Sequence, residues 1–516
     1  MDRIWAGDAS FWRPEAVARK QIESSLGWLA VPERVGAAAD EMTALAREAA
    51  ADAERVLVLA SGAPAFAARL FAAAFPPAEG FPSLSVLDTT EPAAVAAAAA
   101  ACDPARTLCV VASRTGAILE TDLLFDFFFD RAQRALGDAA GRRFLVATEA
   151  GSALESTAAK RNVRAVVHAE PRCPGAFGSL TSLALLPLAL LGADVAAFAA
   201  GILRMAEACR AAGLENPGLA LGAAIGSEAL AGRDKLTVSA GPGVAAIARW
   251  IEGLVAGALC REGRGVAPVA GEPLGGPAEY GSDRFFVRCE GADAEEPDVD
   301  QRLATLVEHG HPLAGFVVRE PAELGGELFR WQFAAAVAAR LLGVNPFDES
   351  DARDARDRAS RRLAGAAGEP EAAEDGPSAL RRLLETLGPG GLFAVSAWLP
   401  ERPETAAAIE RLRLAVRAAK KVATTGGFAP SFERASGQAH QAGPDGVLLQ
   451  LVGPPGSPLP IPGRPWDFGR VLSAQADGDL EALRARGRRA ARIKLGSDPA
   501  AEIGALAAAV SSEVAA

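Results

Sequence analysis

The chain has 516 residues, half of them apolar and 23% charged, with a formal net charge of -11 at pH 7. That length accommodates two or three domains with large buried cores, and the composition is that of a globular protein. The negative balance argues against nucleic acid and against anionic membranes as partners, because both require a positive surface.

Residues 1–50 read as helices, with apolar positions at Trp12, Ala16, Ile22, Leu29, Val35 and Met42. A strand–helix alternation then begins. VLVLA (56–60), SLSVLD (83–88), TLCVVAS (107–113), RFLVAT (143–148) and RAVVHA (164–169) are short apolar runs separated by helical patterns. Such alternation predicts a parallel sheet with helices on both faces. Residues 181–261 read as almost wholly helical, interrupted by a strand at KLTVS (235–239). The apolar stretch 180–200 contains Pro187 and Asp194, so it reads as a core helix pair and not a membrane span.

Residues 263–300 are rich in Gly, Pro and acid and read as a connecting segment carrying one strand, RFFVR (284–288). A second alternation follows, with strands at 315–320, 391–399, 421–425, 446–452 and 491–496. The charged 352–377 stretch between them reads as a helix running into a mobile loop. The predicted organisation is an N-terminal helical segment (1–50), a first α/β subdomain (51–262), the connection (263–300) and a second α/β subdomain (301–516).

The six cysteines, at 102, 109, 173, 209, 260 and 289, form no CxxC pair and show no zinc spacing. They are expected to be buried free thiols, and no metal is expected. The N-terminus MDRIWAGDASFW has acidic residues and no apolar h-region, so a cytoplasmic location is expected. LASGAP (59–64) lacks GxGxxG and Walker spacing, so no nucleotide cofactor is expected.

Several stretches, in order over nearly the whole chain, carry a resemblance: SLGWLAVPE (25–33), LENPGLALGAAIGSEALAGRDKLTV (214–238), EGRGVAPVAGEPLGGPAEYGSDRFFV (262–287), GELFRWQFAAAVAARLLGVNPFDES (326–350), SGQAHQAGPDGVLLQLV (436–452) and PLPIPGRPWDFG (458–469). Together they resemble the isomerase portion of bifunctional transaldolase/glucose-6-phosphate isomerases. The resemblance implies two sugar-isomerase (SIS) subdomains, each a parallel sheet flanked by helices, with the active site between them. It implies interconversion of glucose 6-phosphate and fructose 6-phosphate, a step of glycolysis and gluconeogenesis, without metal or organic cofactor. It also implies a sugar phosphate as ligand, a homodimer, or a transaldolase or another sugar-phosphate enzyme as partner.

Aldose–ketose isomerisation needs a base for the C1/C2 proton, a donor for the developing oxyanion, a ring-opening acid/base pair and a phosphate cradle. The family's S-K-[ST]-G-T-T-like phosphate turn aligns with Ser113, Arg114, Thr115 and Gly116, which keeps part of the cradle. Ser113 has a bland alternative role as a helix cap. The G-G-R motif aligns with Gly175 and Ala176, so alanine stands where the oxyanion arginine is expected, and neighbouring Arg172 reads as a surface residue. The E-S-x-G-K motif aligns with 257–261, so Gly257 stands in the position of the base. Glu252, Glu262, Glu272 and Glu279 are the nearest carboxylates, and Glu279 is the first candidate to have taken over. Arg434 replaces the histidine taken as catalytic, His440 matches the second histidine of that stretch, and Arg356 replaces the lysine of the NPFD stretch.

The sequence therefore predicts a weak or non-catalytic phosphosugar-binding relative. It expects Arg114, Arg356 and Arg434 to share one cleft, with His440 and Glu279 as candidate acid/base residues. The alternatives are an active isomerase with rerouted acid/base residues, a regulatory or scaffold partner of a sugar-phosphate enzyme, or a different enzyme on the same scaffold.

Overall fold

A computed structural model describes residues 2–292, 295–366 and 373–515. The chain adopts the expected α/β class, with parallel sheets flanked by helices. The first sheet contains β1 (Arg55–Ala60), β2 (Ser83–Leu87), β3 (Thr107–Ala112), β4 (Phe144–Thr148) and β5 (Ala165–His168), in the order β2-β1-β3-β4-β5. Another contains β10 (Leu392–Trp398), β11 (Ala423–Phe428), β12 (Gly446–Val452) and β13 (Arg489–Lys494), in the order β11-β10-β12-β13. All neighbours in both sheets run parallel. The central strands β1, β3, β10 and β12 are buried almost throughout, which is why they read as unbroken apolar runs.

Between these sheets lies a third parallel sheet, β7-β6-β8-β9, built from β6 (Lys235–Ala240), β7 (Ala267–Ala270), β8 (Arg284–Gly291) and β9 (Leu313–Val318). Its strands come from all three of the segments that the sequence separates at 263 and 300. β7 has no counterpart in the sequence reading, because it is four residues long and contains Pro268. It is an edge strand of its sheet, the position where a missing N–H is tolerated.

The largest apolar core joins the N-terminal helix Val31–Ala50, one face of the first sheet and the buried helix Glu323–Leu342. The helix Pro217–Leu230 packs closely on Glu323–Leu342, since a Cβ on Gly222 would sit 2.5 Å from the Ala334 carbonyl oxygen. The 180–200 stretch forms two buried helices, Ser182–Leu190 and Val195–Ala208. No helix among the described residues is long and apolar enough to cross a membrane. The 352–377 segment is helical over Ser350–Leu363, and the part of the expected loop at 367–372 lies outside the described residues.

Candidate functional site

In the first sheet the chain runs outward in opposite directions from β1 and β3, so a crevice opens at their carboxyl ends. Ala60 and Ala112 are paired in register, which brings Ser61 and Ser113 out side by side. Both line a cleft of about 610 Å³. Its other walls are the helix Ala246–Leu259, the helix Ser350–Leu363 and the helix Ser431–Ala442.

The phosphate-type turn is only partly rebuilt. Ser113 does not cap the following helix; its Oγ accepts the Gly116 N–H at 3.3 Å and closes the turn. The Thr115 hydroxyl oxygen likewise accepts from the Ala117 N–H at 3.3 Å. Gly116 has φ +67°, and a Cβ there would lie 2.5 Å from the Leu154 nitrogen, so only glycine fits. Ser61 Oγ is buried and has no partner among the described residues. Arg114 stands 3.6 Å from Glu149.

Ala176 and Gly257 both line the cleft and offer no side chain for proton transfer or hydrogen bonding. A Cβ on Gly257 would meet nothing within 4 Å, so the space of a larger side chain is open. One turn on, Arg261 is buried, and its Nη groups bond the carbonyls of Cys260, Gly257 and Asp348.

All three arginines named from the sequence line this cleft. Arg434 is ion-paired with the buried Glu120. Arg356, half-buried, makes no hydrogen bond or ion pair with any described residue. Burial and the nearby Arg434 charge push its pKa down to about 10. Seven carboxyl groups and five guanidinium groups line the cleft, so its wall is not simply cationic.

Glu279 is not brought to the cleft. It accepts the Gly276 N–H at 2.8 Å and Arg417 Nη2 at 2.6 Å. Partial burial raises its pKa, but Gly276 and Arg417 outweigh that and hold the carboxyl low, the wrong direction for a base. Glu252, Glu262 and Glu272 are also away from the cleft. Glu252 is buried against Thr425 and Ser436, Glu272 pairs with Arg284, and Glu262 pairs with Arg13 and Arg264. Arg172 is exposed at the surface and bonds the Glu23 carbonyl.

His440 lies behind the cleft wall. It is on a helix and not in a loop, and its Nδ1 is 3.0 Å from Glu433 Oε2. Glu433 does line the cleft, as do Arg434, Gly437, Gln438 and Gln441. That spacing is one helical face.

The carboxylate missed by the sequence reading is Glu349, at the N-cap of the Ser350–Leu363 helix. It lines the cleft with no hydrogen bond or ion pair to a described residue. Its Oε1 is 2.8 Å from where a Gly175 Cβ would be, beside the vacated oxyanion position. The available signal was its place at the glutamine of the family's N-P-F-D-Q-P stretch. Arg261, also missed, stands at the lysine of the E-S-x-G-K stretch.

No family model matches the chain. A glucose-6-phosphate isomerase of Rubrobacter xylanophilus is 28% identical over 196 residues, 37% of this chain and 45% of that protein. A glucose-6-phosphate isomerase of Symbiobacterium thermophilum is 27% identical over 281 residues, 46% of this chain and 62% of that protein. The chain thus spans about half the length of the curated relatives it matches. Among solved structures, a hypothetical protein of Thermus thermophilus superimposes with a TM-score of 0.58 at 21% identity, covering 70% of this chain and 94% of that one. A glucose-6-phosphate isomerase of Chlamydia trachomatis gives 0.54 at 16% identity, covering 74% and 80%. The fold therefore resembles that of a glucose-6-phosphate isomerase of known structure. Its sequence is similar, in part, to those of glucose-6-phosphate isomerases.

Proposed function

We propose that the cleft binds a sugar phosphate and turns it over weakly or not at all. The observation that carries this reading is Arg356. A half-buried guanidinium with no hydrogen bond or ion pair to a described residue, facing a cleft that also holds a residual phosphate turn, is a charge available to an anionic ligand. Ser61, Ser113 and Thr115 supply hydroxyls at the other wall. The two positions aligned with base and oxyanion donor are Gly257 and Ala176, and each lost term is commonly worth ~10²–10⁴-fold in rate.

The experiment is paired on one sample of the full chain. Fructose 6-phosphate is expected to raise the melting temperature, because it binds the native state alone. A coupled isomerase assay is expected to give a rate at least ~10³-fold below the ~10 per second of an ordinary enzyme. No thermal shift at millimolar ligand, or turnover at ordinary rates, would overturn the reading.

Glu349 favours a second reading, a rerouted isomerase in which this carboxylate abstracts the C1/C2 proton. Under it, Glu349→Gln removes whatever turnover is measured. Unchanged turnover in that variant sinks it.

A further inference from the structure

A second cavity, of about 420 Å³, shares Arg261, Asp348 and Gln441 with the cleft and extends to Ser350, Arg486 and Arg488. Three guanidinium groups, Arg261, Arg486 and Arg488, and three carboxyl groups, Glu262, Asp348 and Asp351, line it, and they are unevenly paired. Arg486 is neutralised by Asp351 and Asp354. Among the described residues, Arg261 and Arg488 hydrogen-bond only backbone carbonyls: Cys260, Gly257 and Asp348 for the first, and His440, Gly443 and Pro444, at 2.8, 3.1 and 2.8 Å, for the second. Arg261 is 4% exposed, and its Nε is buried with no acceptor among the described residues.

Two of the carboxylates lining this cavity are ion-paired, and the third, Asp348, is held by hydrogen bonds from neutral groups. Glu262 pairs with Arg13 and Arg264, Asp351 is held by Arg486 and Gln438, and Asp348 accepts from Ser350 and Gln21. Asp445, whose charge acts on Arg488 from outside the cavity, is paired with Arg489. Carbonyl dipoles solvate a guanidinium but leave its charge in place. Burial disfavours the charged forms of Arg261 and Arg488, and it outweighs the attraction of Asp348, Asp351 and Glu349 on the first and of Asp445 on the second.

We propose that this cavity is a second anion site, adjoining the sugar-phosphate cleft and sharing Arg261 with it, which takes a phosphate-class oxyanion between Arg261 and Arg488. The volume exceeds that of the bare ion, so the oxyanion can be free or be the phosphoryl group of a small metabolite. Arg356, which carries the proposed sugar-phosphate binding in the cleft, is not part of this cavity.

The test is calorimetric titration of the full chain with inorganic phosphate and, separately, with glycerol 3-phosphate. Tighter binding of the ester assigns a phosphorylated metabolite, and tighter binding of phosphate assigns the free ion. Arg488→Leu is expected to weaken that binding by about tenfold or more, the effect of losing a charge-assisted contact. Arg488 also ties down the chain after His440, so its loss can affect folding. Ser350→Glu provides the second variant: it places a carboxylate in the cavity from an exposed position in the first turn of a helix, where acid is tolerated. It is expected to weaken binding to a similar extent, while Arg356→Ala leaves this site's affinity in place. Absence of binding to the unmodified chain, unchanged affinity in Ser350→Glu, or loss of all binding in Arg356→Ala would overturn the proposal.

Discussion

Arg434 is ion-paired with Glu120 across 314 residues of sequence, and the Glu120 carboxylate also accepts Gln475 Nε2 at 2.7 Å. The pair joins the first turn of the helix Leu119–Leu136 to the helix Ser431–Ala442, and so ties the first sheet's lobe to that of β10–β13. At the position aligned with a catalytic histidine, this chain holds a clasp.

Breaking the clasp on one side leaves a buried carboxylate without its cation. Arg434→Ala is expected to cost about 3–5 kcal/mol, read as a lowered denaturation midpoint. Pairing it with Glu120→Gln should recover much of that loss. Burial raises the Glu120 pKa, but the Arg434 charge and hydrogen bond outweigh it, so the folded value lies below the unfolded one. The contribution is therefore complete above the unfolded value of about 4.3. It is lost as pH falls through the folded value, and a pH series of midpoints on both proteins checks the sign.

Arg356→Ala should abolish the thermal shift with fructose 6-phosphate, at a cost in affinity of about tenfold or more. Its own pKa of about 10 in the free protein adds a second signature. An anion binds the charged guanidinium, so affinity should hold at neutral pH and fall as pH rises through about 10. Arg356→Lys, tested beside it, separates charge from bidentate geometry.

Gly257→Glu should fold at least as well as the parent. The site lies inside a helix, the Cβ meets nothing within 4 Å, and replacing a helical glycine contributes roughly 0.5–1 kcal/mol. Together with Ala176→Arg, it should raise isomerase turnover above that of the parent chain, measured in the coupled assay. A folded double variant with no gain would show that the remaining walls no longer hold a sugar in a reactive pose.

Asp479 is buried beside Glu433, and burial first, then the Glu433 charge, holds its pKa well above the carboxylate range. A carboxyl that keeps its proton in the folded chain loses stability as pH rises above the unfolded value, about 3.9. Asp479→Asn keeps an acceptor for Gln441 Nε2, which now bonds Asp479 Oδ1 at 3.0 Å. The variant should therefore melt higher than the parent at pH 7, with the difference closing towards pH 4.

The strand alternation was legible because buried parallel strands are nearly pure Val, Leu and Ala runs, as at β1, β3 and β12. β7 was not, since a four-residue edge strand with a proline lacks both length and periodicity. The arginines and the two emptied positions were legible by their places in motifs. Glu279 misled because nearness along the chain to Gly257 is not nearness in space: Arg417, from a distant helix, claims it. His440 misled in a smaller way, because a motif gives a position and not the direction of a side chain. Glu433, on the same helix, takes the place at the wall. Asp479 and Gln475 carry no local signal at all, since only tertiary packing brings them there.

The cleft draws its lining from residue 61 to residue 479. During synthesis the hydroxyl-bearing turns emerge and can order long before the far wall exists. Contacts of such sequence separation close late, after the loops between them have been fixed. A nascent chain halted at residue 340 would carry Ser61, Ser113 and Thr115 and lack Arg356, the guanidinium proposed to hold a ligand against them. The proposed ligand affinity thus requires the chain to have emerged through the far wall, and a chain truncated before residue 340 should lose binding while keeping the helices of the first sheet's lobe.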